Sequence, residues 1–403
     1  LIAFGATSNR LQDAAARRRG HRWAAFSLFA RRSAMTIPAF RLPALACLAV
    51  LATSAPGVAA PAAPKPAAAA ASADIPALAG YDRFDVVAPH RAVLVPASIW
   101  YRASARTYAI PIGENPVFTG TPALVGAAAE NGRHPLILLS HGSGGNMDGL
   151  GWLSSALALR GAVVVAVNHP GTTSRDSSPR RTPRIDERAK DLSAALDTVL
   201  ADPSFAPLID TGRISALGFS LGGTTVLDLA GGRFERSRYR DYCRAFADEA
   251  DCTFFRKGGV DLDRLPMEME AEVRDPRIGS IVAVDPGMTD ALSPQSVASM
   301  TLPVLLISLG APKPWRATDV SADGSDLAAR LPQARHETIR PAVHFTFLGL
   351  CTPEAARLLE EEQDDPVCTD PAGSDRAAIH AKVIDAVADF VGLQPPKADL
   401  SHQ

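Results

Sequence analysis

Residues 213–230 read RISALGFSLGGTTVLDLA. The first part, as far as Phe219, is a short apolar run of strand length. The part after Ser220 is an apolar helix. Between them a serine is flanked by Gly218 and Gly222 at a strand-to-helix junction. Such a serine can occupy a tight, strained turn only when the positions two before and two after it lack side chains, which would collide with the neighbouring helix and strand. The turn lifts the hydroxyl over the end of the sheet, which makes Ser220 the candidate nucleophile. Five residues of this pattern are common by chance, and the strand before and helix after are what make them informative.

Working outward, a second apolar run, residues 135–140 (PLILLS), ends in His141-Gly142-Ser143-Gly144-Gly145. A continuous apolar run of this length suits a strand buried on both faces of a mainly parallel sheet. Its glycine-rich exit can curl over the same sheet edge as Ser220. The backbone N–H groups of Ser143 and of Leu221, the residue after the nucleophile, are then the candidate oxyanion donors. A simple turn or a phosphate loop is the alternative for the glycines, but no Lys-Ser/Thr pair follows them. His141 reads as a structural hydrogen-bonding residue.

A serine needs a base, and the base needs an orienting carboxylate. His344 follows an expected strand at 338–343 and precedes an apolar Phe-Thr-Phe-Leu stretch that can pack its loop. It is the candidate base, with His169 as competitor. His336 and His380 read as surface residues. Asp285, directly after the apolar run 281–284, is the candidate acid in preference to Asp290 and Asp319. The order is Ser, Asp, His.

Around these motifs strands alternate with helices: strands at 162–168, 278–284 and 304–309, helices near 148–160, 186–200, 327 and 375–390, and an opening antiparallel pair at 84–88 and 93–101. This argues for an α/β fold with a mainly parallel central sheet flanked by helices. Residues 232–275 interrupt the alternation with an Arg-rich, aromatic, acidic stretch, expected to form a lid over the strand C-termini, where open α/β sheets bind ligands. A decorative insertion is the alternative. Arg175, Arg180, Arg181 and Arg184 read as a solvated charged loop, with attraction of an anionic substrate as the second reading.

The motifs together resemble the α/β-hydrolases. Within them, residues 99–101 (IWY), 140–144 (SHGSG), 218–223 (GFSLGG), 284–287 (VDPG) and 344–348 (HFTFL) are most similar to bacterial predicted dienelactone hydrolases and platelet-activating-factor acetylhydrolases. The resemblance covers roughly residues 81–393. It implies a serine hydrolase with the acid after the strand that follows the nucleophile helix and lid, which supports Asp285, and an oxyanion donor after His-Gly, which supports Ser143. True dienelactone hydrolases use a cysteine where Ser220 stands, and Arg102 replaces a usual proline.

The front of the chain reads differently. Residues 1–59 are expected to hold an N-terminal extension and, from a start at Met35, a signal peptide with Arg41, a short apolar run and cleavage after Ala59. Residues 60–80 form an Ala/Pro linker, leaving 81–395 as one catalytic domain. Four of five cysteines remain after processing. Of three connectivities, Cys243 with Cys252 and Cys351 with Cys368 closes the shortest loops, against four free thiols.

The 403 residues, 47% hydrophobic and 21% charged with a net charge of −2, exclude a disordered chain and a strongly basic nucleic-acid binder. No stable membrane span, metal or cofactor is expected, because the apolar run of the signal peptide is too short and the histidines are scattered. The expectation is an exported, periplasmic or secreted serine hydrolase of small-molecule carboxylic esters. An amidase or peptidase on the same triad, or a binding protein on the same scaffold, is the alternative.

Overall fold

The computed structural model describes residues 77–310 and 314–394, so the signal-peptide and most of the linker readings lie outside the described residues. Strands β1 (Ala79–Val86) and β2 (Val95–Arg102) form the expected antiparallel pair, and β3 (Ala109–Ile112) with β4 (Thr121–Val125) extends the sheet beyond them. The parallel part comprises β5 (His134–Ser140), β6 (Val163–Val167), β9 (Ile209–Phe219), β10 (Ser280–Val284), β11 (Val304–Leu309) and β12 (Ala334–Ile339); a two-stranded ribbon, β7 (Thr172–Thr173) and β8 (Asp176–Ser177), stands apart. The spatial order is β12-β11-β10-β9-β5-β6-β2-β1-β4-β3.

Strand periodicity explains why the apolar runs are continuous. Leu136 and Leu138 of β5 face one core while Ile137 and Leu139 face the other, so each of these four positions is buried. Helices α1 (Gly151–Leu159) and α9 (Arg376–Phe390) cover the second face through Leu153, Leu157, Ile379 and Val383. Helices α2 (Ile185–Ala201) and α3 (Leu221–Leu229) cover the first, with Ala189, Leu192, Leu196 and Val199 at helical spacing.

The winding places a crevice. From β5 the chain passes to β6 on one side, then returns to β9 on the other. The loops leaving β5 and β9 therefore part in opposite directions at neighbouring strand ends, where doubly wound sheets bind ligands.

Residues 232–275 carry α4 (Arg236–Ala245) and α5 (Ala250–Lys257), joined by the Cys243–Cys252 disulfide. Their buried side chains, Tyr239, Phe254 and Phe255 among them, join the α2/α3 core. Their polar ones reach the rim, where Arg238 Nε donates to the Asp290 carbonyl and the Arg316 guanidinium lies 5.5 Å from the Tyr242 ring centre. The second disulfide joins Cys351 to Cys368 across α8 (Ala355–Glu361). Both pairings are the short-loop ones expected. A short α6 (Pro294–Ser299) and α7 (Leu327–Arg330) complete the helices.

Two expectations need correction. The strand expected at 338–343 lies at Ala334–Ile339, because Pro341 has no N–H for a ladder and the true strand is an edge whose exposed face is polar. His380 is buried, not on the surface: its ring stacks on Trp152 at 3.7 Å and its Nε2 contacts the Thr346 and Leu348 carbonyls. Among the described residues no helix is long and apolar enough to cross a membrane.

Candidate active site

The turn at Ser220 has the conformation its glycines permit. Ser220 sits at φ 57°, ψ −118°, an unusual backbone state for a residue with a side chain. A Cβ on Gly218 would lie 1.9 Å from the Gly222 carbonyl oxygen, and one on Gly222 would lie 2.0 Å from that of Ser140. The strand, turn and helix are thus in backbone contact, and Gly222 presses α3 against the end of β5. Ser220 N–H donates to the Val284 carbonyl at 2.9 Å, and Gly287 N–H donates back to the Ser220 carbonyl at 3.2 Å, tying the turn to the next strand's exit.

Asp285 leaves that strand, also at positive φ (43°). Its N–H donates to the Ile307 carbonyl, and its Oδ1 accepts the Leu309 N–H at 2.8 Å, which leaves Oδ2 for the imidazole. His344 opens a 3-10 turn, His344–Phe347. Its Nδ1 lies 3.0 Å from Asp285 Oδ2 and its Nε2 lies 3.1 Å from Ser220 Oγ. An ionised carboxylate only accepts, so Nδ1 carries the proton and Nε2 receives the serine hydroxyl. The three side chains are buried at 2–6% exposure. Phe219 and Trp315 pack on the imidazole, with ring centres at 4.6 and 5.0 Å. Burial holds the His344 pKa below its usual value, against the opposing pull of Asp285.

The competing candidates are engaged elsewhere. Asp290 binds Arg316 through both oxygens, and Asp319 accepts from the Ser321 N–H. His169 is fully buried, its Nδ1 at 2.9 Å from Asp191 and its Nε2 at 2.9 Å from Ser140 Oγ. Burial and the Arg188 charge push its pKa down to about 3, so it is neutral and faces Ser140, not Ser220. Arg181 pairs with Asp176 and Arg184 with Glu187, as in a solvated loop.

The Gly142 turn lies beside Ser220: a Cβ on Gly142 would be 3.1 Å from Ser220 Cβ. His141 sets its peptide plane. The ring Nε2 accepts the His169 N–H at 3.2 Å, so Nδ1–H donates to the Gly142 carbonyl at 2.7 Å, which also accepts Gly145 N–H. With that carbonyl pinned, the trans peptide directs the Ser143 N–H the opposite way. Leu221 N–H is at the first turn of α3, where backbone donors have no partner within the helix. The loop is held from outside as well: Gly144 N–H donates to Thr172, and Thr173 and Ser174 hydroxyls donate to the Gly145 and Gly144 carbonyls.

A family model described as the alpha/beta hydrolase family matches residues 136–395, which is more than half the chain. The chain belongs to that family.

This α/β-hydrolase is 35% identical over 106 residues to a cutinase from Thermobifida alba, a match spanning 26% of this chain and 32% of the cutinase. A lipase from a Moraxella species is 39% identical over 89 residues, 22% of this chain and 24% of the lipase. The chain thus covers a third or less of these relatives' lengths. A ferulic acid esterase from Streptomyces cinnamoneus shares the α/β-hydrolase fold with a TM-score of 0.53 at 19% identity, covering 82% of this chain and 95% of the esterase.

Sequence reasoning missed several residues around the site. Arg188 and Asp191 lie on the buried stripe of α2, where a charge is out of place, and that misfit was the readable signal. Trp315, Asp370 and Arg376 carried no local signal. Arg376 chelates Asp370 and donates to the Gly349 and Val367 carbonyls, and Thr346 Oγ1 donates to Asp370 at 2.7 Å. This bracing from the start of α9 holds the turn that carries His344. Among the described residues no cluster of three or more His, Cys, Asp or Glu is arranged to hold a metal ion.

Proposed function

We propose that this chain is an exported carboxylic-ester hydrolase that works through an acyl-enzyme, with Ser220 as nucleophile, His344 as base and Asp285 as its orienting acid. The observation that carries the reading is the hydrogen-bonded series Ser220 Oγ, His344 Nε2, His344 Nδ1, Asp285 Oδ2, starting from a strained turn at a strand end. As Ser220 attacks an ester carbonyl, His344 takes its proton, and Asp285 stabilises the imidazolium. The carbonyl oxygen becomes an oxyanion received by the Ser143 and Leu221 N–H groups. Collapse expels the alcohol, which takes the proton from His344. Water then enters, gives its proton to His344, and attacks the acyl carbon to release the acid and restore Ser220. Side chains and backbone amides handle every proton and charge, so the cycle calls for no metal or cofactor.

The ester class is supported by the cutinase and lipase similarities, which take in only part of each protein. The narrower likeness to dienelactone hydrolases and acetylhydrolases rests on the sequence motifs, and Ser220 sets a serine chemistry in place of the cysteine one. Residues 81–395 form the catalytic domain, with 232–275 as a lid whose Tyr242 and Phe246 engage Arg316 beside Trp315. Two disulfides and the signal-like front segment support export to the periplasm or beyond.

The test is hydrolysis of short p-nitrophenyl esters and matched anilides, with fluorophosphonate labelling, by wild type and by Ser220→Ala and His344→Ala. Loss of about 10⁴-fold or more in both variants, with labelling confined to protein that keeps Ser220, is expected. Turnover near that of wild type in either variant overturns the triad, and faster anilide than ester cleavage overturns the ester class.

A further inference from the structure

Behind the Gly142 turn lies a cation that hydrogen-bonds to no carboxylate among the described residues. Arg188 of α2 is buried to 1% exposure. Its Nη2 donates to the His141 carbonyl at 2.5 Å and to Ser140 Oγ at 3.1 Å. Its Nη1 donates to Thr172 Oγ1 at 2.5 Å and its Nε to Thr225 Oγ1 at 2.8 Å. The nearby Asp191 is occupied by Arg91, His90 and His169. His141 and His169 are both held neutral by burial and by the Arg188 charge itself. Burial lowers the Arg188 pKa to about 9, which leaves it charged at neutral pH.

Burying a guanidinium on neutral acceptors is costly, and hydroxyls and a carbonyl are ordinary acceptors that smaller neutral donors would satisfy. What only a planar fork does is reach several elements at once. The four acceptors belong to the end of β5, the start of the Gly142 turn, the ribbon strand β7 and the nucleophile helix α3. The Gly142 turn among them carries Ser143, and the next amide, Gly144 N–H, donates to the Thr172 carbonyl of β7. The Thr225 hydroxyl in turn donates to the Leu221 carbonyl, one turn back on α3, so both expected oxyanion donors are tied to one side chain.

We propose that Arg188 is the positioning residue of the oxyanion hole. It locks the His141 carbonyl and the first turn of α3 in one frame, and so holds the two amides expected to face the oxyanion. The inference rests on the serine-hydrolase reading of Ser220. An interaction felt only when the oxyanion forms changes kcat and leaves KM in place.

The experiment measures Arg188→Lys and Arg188→Met with a p-nitrophenyl ester, and their inhibition by an alkyl trifluoromethyl ketone, whose carbonyl Ser220 converts to a tetrahedral adduct. For Arg188→Met, kcat is expected to fall about 100-fold with KM within about threefold of wild type, and the ketone to bind about 100-fold more weakly, the scale of one lost oxyanion donor. Arg188→Lys, which keeps the charge but not the fork, is expected near a tenfold loss in both. Circular dichroism identifies folded protein, and if Arg188→Met does not fold, Arg188→Lys decides. A folded variant with wild-type kcat, or one whose loss is all in KM, overturns the clamp. The wild-type enzyme and Ser220→Ala, run beside them, read the serine-hydrolase assignment separately.

Discussion

Ser220 and His344 meet at 3.1 Å, but the molecule holds them by opposite means. Ser220, the proposed nucleophile, is placed by backbone: Gly218 and Gly222 bring strand, turn and helix into contact closer than any Cβ allows, and Ser220 bonds to the exit of β10 through its own N–H and carbonyl. Asp285, the proposed acid, shares that frame, since Phe219 pairs with Val284 across neighbouring strands and Asp285 follows directly. His344, the proposed base, is placed by side chains. Its 3-10 turn depends on Thr346, Asp370, Arg376, His380 and the loop fastened by Cys351–Cys368. A backbone-built site fails all at once when a steric rule is broken. A side-chain-built one weakens in steps.

Asp285→Asn gives the largest effect expected, about a 10⁴-fold fall in kcat with the fold intact, because an amide holds the wrong imidazole tautomer. Steady-state kinetics beside circular dichroism reads it, and a loss under tenfold would show that the acid does not orient His344. Gly222→Ala comes next. Its methyl would meet the Ser140 carbonyl oxygen at 2.0 Å, so turn and oxyanion loop must part, at a cost of about 3 kcal/mol or more. Soluble yield, melting temperature and turnover should all collapse together, and an active, stable Gly222→Ala protein would remove the steric basis of the comparison.

Acid reaches the proposed site through His344. His344 accepts the serine proton only when neutral, and burial holds its pKa below 6.5. The acidic limb of kcat/KM should therefore fall at a pH below 6.5, by about tenfold for each further unit. A limb at 7 or higher would show that burial does not control the group. On the side-chain half, Arg376→Leu leaves Asp370 with Thr346 as its remaining side-chain donor and takes the Arg376 donor from the Gly349 and Val367 carbonyls. About a tenfold loss of kcat and a lowered melting temperature are expected, because the turn still has His380 and the disulfide. The double change Cys351→Ser with Cys368→Ser should cost about 2–3 kcal/mol of stability, the scale of a loop this short, while changing activity only a few-fold at 25 °C. If either variant inactivated the enzyme as fully as Asp285→Asn, the two halves would not differ in kind.

This division also explains what the sequence disclosed. Backbone-built features are local: a glycine two places from a serine, an apolar run before it and an aspartate at a strand end all lie within a few residues, and they led to Ser220, Asp285 and the β5 turn. Strands buried on both faces announced themselves the same way. Side-chain-built features join distant residues. Nothing near Asp370 or Arg376 points to Thr346, and Arg188 with Asp191 was legible only as charge on a buried helical stripe. His380 misled because a histidine on a terminal helix shows no sign of the Trp152 ring it stacks on. Strand β12 was misplaced because its exposed face is polar, and β3 and β4 were missed because they are only four and five residues long and each carries a proline, Pro111 or Pro122.

The two disulfides have a consequence for synthesis. Their loops follow one another along the chain and neither straddles the other, with separations of 9 and 17 residues. As the chain emerges from its amino end, Cys243 meets Cys252 long before either later cysteine arrives. With Cys47 removed in the proposed signal peptide, an oxidase that joins cysteines in order of appearance yields these pairs directly, and maturation is expected to need an oxidant but no isomerase to reshuffle them.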